Sequence, residues 1–418
     1  MIKLKVGSDF SGVGAFDQAL IRLEIDYETI FACDMDKHAR KTFIANYGEP
    51  DYYPENVYNR EIPNDSIDIY MTSPPCQAFS LAGKRKGKED LRGILFFNSH
   101  EFIMKNKPRF FIFENVKGLL SDDNGNTFQE WLNYLGGKSV NGVPVIFPTD
   151  DAAPYHIYWK VINAKNHNIP QNRERVFIVG IRDDEDNVFS WPNEVPLTRK
   201  LKNVLESEVD EKYFLSEKML ENLTRDFKKN GEVANLNKGG ERGSVYSEDA
   251  EVISCLSATD FKQPKQIEIK IKSATSKGYE EATENDSINF THPNSKTRRG
   301  RVGVGVAQTL DTGCNQAVIV GTWRTHKDGN GFREIQDGNC PTIPARARED
   351  GSGQPVLFDG YRIRRLTPVE CFRLMDFPDS LVENARRVGM SDSQLYKQAG
   401  NSICVGVLEG IIKGLKKL

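Results

Sequence analysis

The sequence predicts an α/β protein, with a mostly parallel sheet flanked by helices and a second, smaller, loop-rich domain. Three observations predict it. From Lys3 to about Ile181, short β-rich runs alternate with amphipathic stretches, the order that winds strands into a parallel sheet. Polar residues gather just after the apolar runs, at SDFSGVG, CDMD, SPPCQ and ENVKG, where sheets of this kind bind ligands. Between about Asn193 and Gly360 the texture turns charged, Gly-rich and weakly periodic.

Taken in order, the strand IKLKVGSDF leads to the helix GAFDQALIRL, and YETIFACD to KHARKTFIANY. SIDIYMTS precedes GILFFNSHEFIMK, and RFFIFEN precedes TFQEWLNYL. The tail from Thr367 is helical again: TPVECFRLMDF and CVGVLEGIIKGLKKL each carry an apolar stripe that needs a core to cover. The expected division is therefore residues 1–192 completed by 361–418, with 193–360 as the second domain. Within that domain SCLSATDFKQPKQIEI, AQTLDTGCNQAVIV and CPTIPARAREDGSGQPVLF resemble one another, as a weak repeat or as chance similarity of hairpins.

Composition bounds the function. A chain of 418 residues with 38% hydrophobic and 28% charged content is long enough for two domains and excludes a disordered or disulfide-stapled peptide. Lys and Arg number 56 against 59 Asp and Glu, so a net charge of −3 advertises no nucleic-acid partner, and any such surface must be local. The N-terminus turns polar too early for a secretory segment, and no run approaches the ~20 apolar residues of a membrane span. A cytoplasmic protein without membrane attachment is expected. None of the seven cysteines lies in a C-x-x-C pair, so reduced thiols and no metal are expected.

The chemistry-bearing residues sit at strand ends. Phe10-Ser11-Gly12-Val13-Gly14 reads as a nucleotide-binding turn at a helix start, although a tight turn without ligand has the same composition. About twenty residues on, Asp34 and Asp36 offer a carboxylate for a ribose, or a cap for the next helix. Pro74 and Pro75 stiffen the chain and present Cys76 as a candidate nucleophile. The basic GKRKGKEDLR that follows suits a thiolate or phosphates, as it suits a solvated loop. Glu114 ends an apolar strand, where burial raises its pKa toward proton donation; capping and ion pairing are its other uses. Of Arg173 and Arg175, which precede the strand VFIVGI, at most one is expected to face the cleft, and either can be an ion-pair partner for Glu114.

In this order, DFSGVGAF, SPPCQAFSLAGKRKGKEDLRGILFF, ENVKGLL, QNRERVFIVGIR, RRLTPVECFRLMDFP and QAGNSICVGV resemble the DNA (cytosine-5) methyltransferase family, of the prokaryotic or phage restriction-modification type. The match covers most of 1–182 and 362–410. The resemblance implies a Rossmann-like S-adenosylmethionine-dependent methyltransferase sheet and a target-recognition domain over 193–360. It implies methyl transfer to carbon-5 of a flipped cytosine in a short duplex sequence, through a covalent adduct with Cys76. Glu114 and Asn115 would contact the base, Arg175 would reach its carbonyl oxygen with Arg173 in support, and Gln77 stands beside the nucleophile. S-adenosylmethionine, leaving as S-adenosylhomocysteine, would meet Phe10, Gly12, Asp34, Met35, Asn56, Val57, Pro75, Leu95, Asn401 and Ser402. Double-stranded DNA would meet Ser80, Lys84, Arg85 and Arg92 in a closing loop, and Arg298, Arg299 and Arg301, with Arg346 and Arg348 as further candidates; phosphate or solvent contact is the plainer use of each arginine.

The sequence departs from the family at Ser8-Asp9, where Asp then an apolar residue is usual, at Ala15, where Gly is common, and at Asp376, where Gly is usual. A monomer is expected, with a restriction endonuclease for the same site as a candidate partner. The alternative substrate is RNA, since one branch of the family methylates tRNA with the same chemistry. A non-enzymatic relative would have lost Cys76, Glu114 or Arg175, and all three are present.

Overall fold

The computed structural model describes residues 3–75, 94–216, 269–283, 285–313, 316–320 and 362–416. Cys76, Gln77, Ser80, Lys84, Arg85, Arg92, Arg346 and Arg348 lie outside the described residues, as do nearly all of the first and third similar pieces.

The elements run β1 (Leu4–Asp9), α1 (Ala15–Arg22), β2 (Tyr27–Cys33), α2 (Lys37–Tyr47), β3 (Ile69–Thr72), α3 (Ile94–Asn106), β4 (Phe110–Val116) and α4 (Asn126–Leu135). There follow β5 (Ser139–Val140), β6 (Val143–Pro144), β7 (Tyr155–Asn163) and β8 (Glu174–Arg182). Later come β9 (Ile269–Lys272), β10 (Tyr279–Ala282), β11 (Ser287–Asn289), β12 (Val302–Gly303), β13 (Gln316–Val320) and β14 (Arg362–Arg365). The chain closes with α5 (Pro368–Leu374), α6 (Asp379–Arg387), α7 (Asp392–Asn401) and α8 (Val405–Gly414).

The expected α/β architecture is present: an eight-stranded sheet has the order β2-β1-β3-β4-β8-β7-β5-β6. Strands β2, β1, β3 and β4 pair in parallel, whereas β8 runs antiparallel to both β4 and β7. No helix crosses between β7 and β8; a short link carrying one 3₁₀ turn joins them, and a link of that kind returns the chain antiparallel. Strands β3 and β4 are buried along nearly their whole length and apolar until their carboxyl ends, as strands covered on both faces are. Against them α3 and α4 bury Phe96, Phe102 and Trp131, with the Phe96 and Trp131 rings stacked 4.3 Å apart.

The chain divides into two compact units, one of 1–204, 309–314 and 368–418, the other of 205–308 and 315–367. The sequence drew the boundaries at 192/193 and 360/361; the structure draws them at 204/205 and 367/368 and returns 309–314 to the first unit. The second unit holds a β9–β10 pair and a four-stranded sheet of order β12-β11-β13-β14, packed around Ile269, Ile271, Ile288, Phe290 and Ile363. Among the described residues no helix is long and apolar enough to cross a membrane.

Asp376 shows how its departure from glycine is accommodated. Its backbone stays left-handed, with φ at 64°. That conformation strains a residue with a Cβ by about 1 kcal/mol. Its carboxylate binds Arg22 at 2.6 Å and Arg199 at 2.9 Å, so the side chain that introduces the strain also ties α1 to the 199 loop.

Asp17, in the first turn of α1, is 2% exposed and accepts a hydrogen bond from Thr29 Oγ1 at 3.3 Å. Burial pushes its carboxyl up to about 6. An acid raised in this way stabilises the fold fully below its ordinary value, and that contribution is lost as pH rises through the folded value. Asp17→Asn is therefore expected to stabilise the protein at pH 7.5 by up to about 3 kcal/mol and to leave it unchanged near pH 4. Denaturant unfolding at the two pH values measures this, and equal stability at pH 7.5 refutes it.

Candidate active site

The site is built at the carboxyl ends of β1, β2, β3 and β4. The turn after β1 carries three positive φ values, 58° at Phe10, 55° at Gly12 and 85° at Gly14. Gly14 leaves no alternative: a Cβ there would lie 2.2 Å from the Tyr47 ring. Phe10 holds a conformation rare for an aromatic residue, and such strain collects at functional sites.

Asp34 and Asp36 divide their work. Asp36 caps α2, accepting from the His38 and Ala39 amides at 2.8 and 3.3 Å, and pairs with Lys397 at 2.7 Å. Asp34 braces the glycine turn, with one carboxylate oxygen accepting from Gly12 N and the other from Asp36 N, both at 2.8 Å. Burial pushes the Asp34 carboxyl above its ordinary value, against the pull of those amides. Each oxygen keeps a lone pair for a further donor such as a ribose hydroxyl. Met35 beside it is 82% exposed, an apolar surface without protein cover.

Phe10, Ser11, Gly12 and Val13 face Ser73 and Asn401, Ser402 and Ile403 across a cleft. Val57 is buried in the turn after Asn56, and Leu95 lies half-buried at the start of α3. Pro75 is exposed and Pro74 buried. The Asn115 amide donates to the Pro74 carbonyl at 2.9 Å, while its oxygen accepts from Val116 N at 2.8 Å. Asn115 thus fastens the chain that leads into Cys76 to the end of β4.

Glu114 is 8% exposed, and Arg175 Nε lies 3.0 Å from its Oε1. The contact follows from register, because β4 and β8 pair antiparallel with Val116 opposite Arg175. Burial pushes the Glu114 carboxyl up, and the Arg175 and then the Arg173 guanidinium counter it. Arg173 points elsewhere: it donates to the carbonyls of Leu310, Gly400 and Ser402 at 3.2, 3.1 and 2.6 Å. The structure thus separates the two arginines: Arg175 meets Glu114, whereas Arg173 is 3% exposed and bonds backbone carbonyls.

Arg301 is corrected by the structure. The sequence offered it for DNA contact, but it has no exposed surface, and its guanidinium donates to the carbonyls of Asn289, Thr291 and His292 at 3.0, 3.3 and 2.6 Å. Arg299 remains exposed with Nε on the Ala274 carbonyl at 3.1 Å, and Arg298 is half-buried. Sequence reasoning missed Gln171, whose amide oxygen accepts from Leu310 N at 3.2 Å, and missed Arg60, described below. The polar run QNRER signalled the first; a lone arginine in a polar loop signals nothing.

Comparison with known proteins identifies the family. The model of the family C-5 cytosine-specific DNA methylase matches residues 4–417. Orphan methyltransferase M.SPRI of Bacillus phage SPR is 33% identical over 99% of this chain and 98% of its own length. Type II methyltransferase M.Bsp6I of Bacillus sp. (strain RFL6) is 28% identical over 99% of both chains. In fold, the chain is similar to the crystal structure of S. pombe Dnmt2 methyltransferase, with a TM-score of 0.53 at 18% identity over 98% of this chain and 97% of that one.

Gly400 admits the 309–314 segment, since a Cβ on it would lie 2.2 Å from the Asp311 carbonyl oxygen, a backbone atom that cannot swing away. Gly400→Ala is expected to cost about 1–3 kcal/mol, the range for overpacking. Urea unfolding measures it, and an unchanged midpoint contradicts the close approach.

Proposed function

Since the chain belongs to the C-5 cytosine-specific DNA methylase family, we propose that it methylates carbon-5 of a flipped cytosine in a short duplex DNA sequence through a covalent adduct with Cys76. The observation that carries the reading is the buried Glu114–Arg175 pair, fastened through Asn115 to the Pro74 carbonyl two residues before Cys76.

The residues around the cleft suit S-adenosylmethionine. Asp34 keeps acceptor capacity for ribose hydroxyls, exposed Met35 and the buried Val57 offer apolar surface to a purine, and the turn from Phe10 with Asn401 and Ser402 lines the remainder. When bound, that cofactor supplies the methyl group and departs as S-adenosylhomocysteine. Carbon-5 of cytosine is a poor nucleophile, so the Cys76 thiolate adds to carbon-6 and makes carbon-5 electron-rich. Glu114, with its pKa raised by burial, donates at ring nitrogen-3 and so accepts the charge that this addition develops. Arg175 holds the Glu114 carboxyl in place with Nε and faces the base's carbonyl oxygen. After transfer, water takes the carbon-5 proton, the carbon-6–sulfur bond breaks to release the Cys76 thiolate, and nitrogen-3 returns its proton to Glu114, so the aromatic ring and both side chains are restored. The second unit would read the sequence, with Arg298 and Arg299 as candidate contacts; the segment from Gln77 to Arg92, part of the first, would close over the flipped base with Ser80, Lys84 and Arg85.

Incubation with S-adenosylmethionine and unmethylated genomic DNA, followed by bisulfite sequencing, tests the reaction. Protected cytosines confined to one or a few short motifs are expected, and none with Cys76→Ala. Full conversion by a folded, cofactor-binding enzyme would move the substrate to RNA. Glu114→Gln is expected to lower the single-turnover methylation rate by ~10² or more, as loss of an acid catalyst does, and an unchanged rate removes Glu114 from the chemistry.

A further inference from the structure

Asp9 closes β1 and Arg60 follows the turn at Asn56, and the two side chains form an ion pair sealed from solvent, with side-chain exposures of 0% and 2%. Arg60 Nε donates to Asp9 Oδ1 at 2.9 Å, and the Tyr70 hydroxyl donates to Asp9 Oδ2 at 2.6 Å. Arg60 Nη2 reaches the Asn98 carbonyl at 3.4 Å, and the guanidinium stands 4.7 Å from the centre of the Phe102 ring and 5.6 Å from that of Phe31. One arginine therefore touches β1, β2 and α3 and, through Asp9, Tyr70 of β3. Asp9 occupies a position where the family usually has an apolar residue.

Stability does not account for the pair. Removing two charges from water costs several kcal/mol per ion, and apolar replacements of buried ion pairs are commonly neutral or stabilising. Arg60 Nη1 is buried without a hydrogen-bond partner, which adds to that cost. What the pair does provide is spacing. Asp9 directly precedes Phe10 and itself lines the cleft. Arg60 directly ends a turn closed by Asn59 N on the Asn56 carbonyl at 3.2 Å, in which the Asn56 side chain accepts from Tyr58 N at 3.0 Å and Val57 is 6% exposed. Both turns hold residues that the proposed placement assigns to the cofactor.

We propose that Asp9 and Arg60 are positioning residues for S-adenosylmethionine, a buried latch that fixes the turn at Asn56 and Val57 relative to the turn at Phe10 and Gly12. The proposal rests on the cofactor placement given above.

The experiment measures S-adenosylmethionine affinity by calorimetry, together with steady-state kinetics and melting temperature, in full-length variants. Arg60→Met and Asp9→Asn are expected to raise Kd tenfold or more, while kcat at saturating cofactor falls less than threefold. The double variant D9L/R60M leaves no charge unpaired; it is expected to melt at or above the parent yet bind cofactor at least tenfold more weakly, a separation that a purely structural role does not produce. Wild-type affinity in that variant overturns the latch. Asp34→Ala serves as the reference: if it too binds normally, the cofactor placement has failed, whereas weak binding by Asp34→Ala with normal binding by the double variant isolates the failure to Asp9 and Arg60. Should the double variant not fold, Arg60→Lys decides, because it keeps a cation beside Asp9 and loses the Nη2 bond. Threefold or weaker binding then supports the latch, and unchanged binding overturns it.

Discussion

The buried guanidinium of Arg173 holds together three stretches that the sequence keeps far apart. Its nitrogens meet the carbonyls of Leu310, Gly400 and Ser402, and its own residue leads directly into β8, which carries Arg175 to Glu114. Without that convergence the cleft would lack the wall formed by Asn401, Ser402 and Ile403, because those residues reach the sheet only from the far end of the chain. Gln171 reinforces the arrangement from two residues away, accepting from Leu310 N and donating to the Leu374 carbonyl at 2.8 Å. Each of these carbonyls, left unbonded in the interior, would cost about 1–3 kcal/mol. The arginine thus satisfies the backbone at the point where three chain segments cross.

A second regularity is the placement of carboxylates at the ends of apolar strands. Asp9, Asp34 and Glu114 stand at or just beyond the carboxyl ends of β1, β2 and β4, and each is countered differently: Arg60 and Tyr70, two backbone amides, and Arg175. The local dielectric makes each choice consequential. Amides hold Asp34 in place while leaving its outer lone pairs available, whereas Arg60 and Tyr70 engage both oxygens of Asp9. Among the described residues, the thiols that are buried, Cys33, Cys371 and Cys404, stand apart from this chemistry; burial pushes Cys33 up to about 12 and Cys404 up to about 11, so neither is a ready thiolate.

Much of the sheet was legible because its signals are local. Alternating apolar runs and helix periodicity located α2 at KHARKTFIANY and α4 at TFQEWLNYL, one residue short of its start, and strand ends pointed to Asp34 and Glu114. What was not legible depends on contacts between distant residues. Nothing in TLDTG separates it from any polar turn, yet 309–314 packs with the first unit. The RRGR run suggested a DNA-facing surface, but the third arginine turns inward to three carbonyls, which no composition rule reveals. Arg60 has no periodic context, and its partner Asp9 stands out in the sequence only as an irregularity of the first turn. The antiparallel return of β8 follows from the absence of a crossover helix after β7.

The packing of α1 against α8 carries a consequence for synthesis. Ala15, Phe16, Ala19 and Leu20 are buried in the finished protein, and the helix that helps cover them, Val405–Gly414, lies almost at the chain's end. At the usual pace of translation, roughly tens of seconds separate the emergence of the two helices. Throughout that interval the part of the α1 face that Val405–Gly414 packs against lacks that cover. A ribosome that stalls before the last helix would therefore display an unfinished sheet, and quality control would find its handle at the first helix.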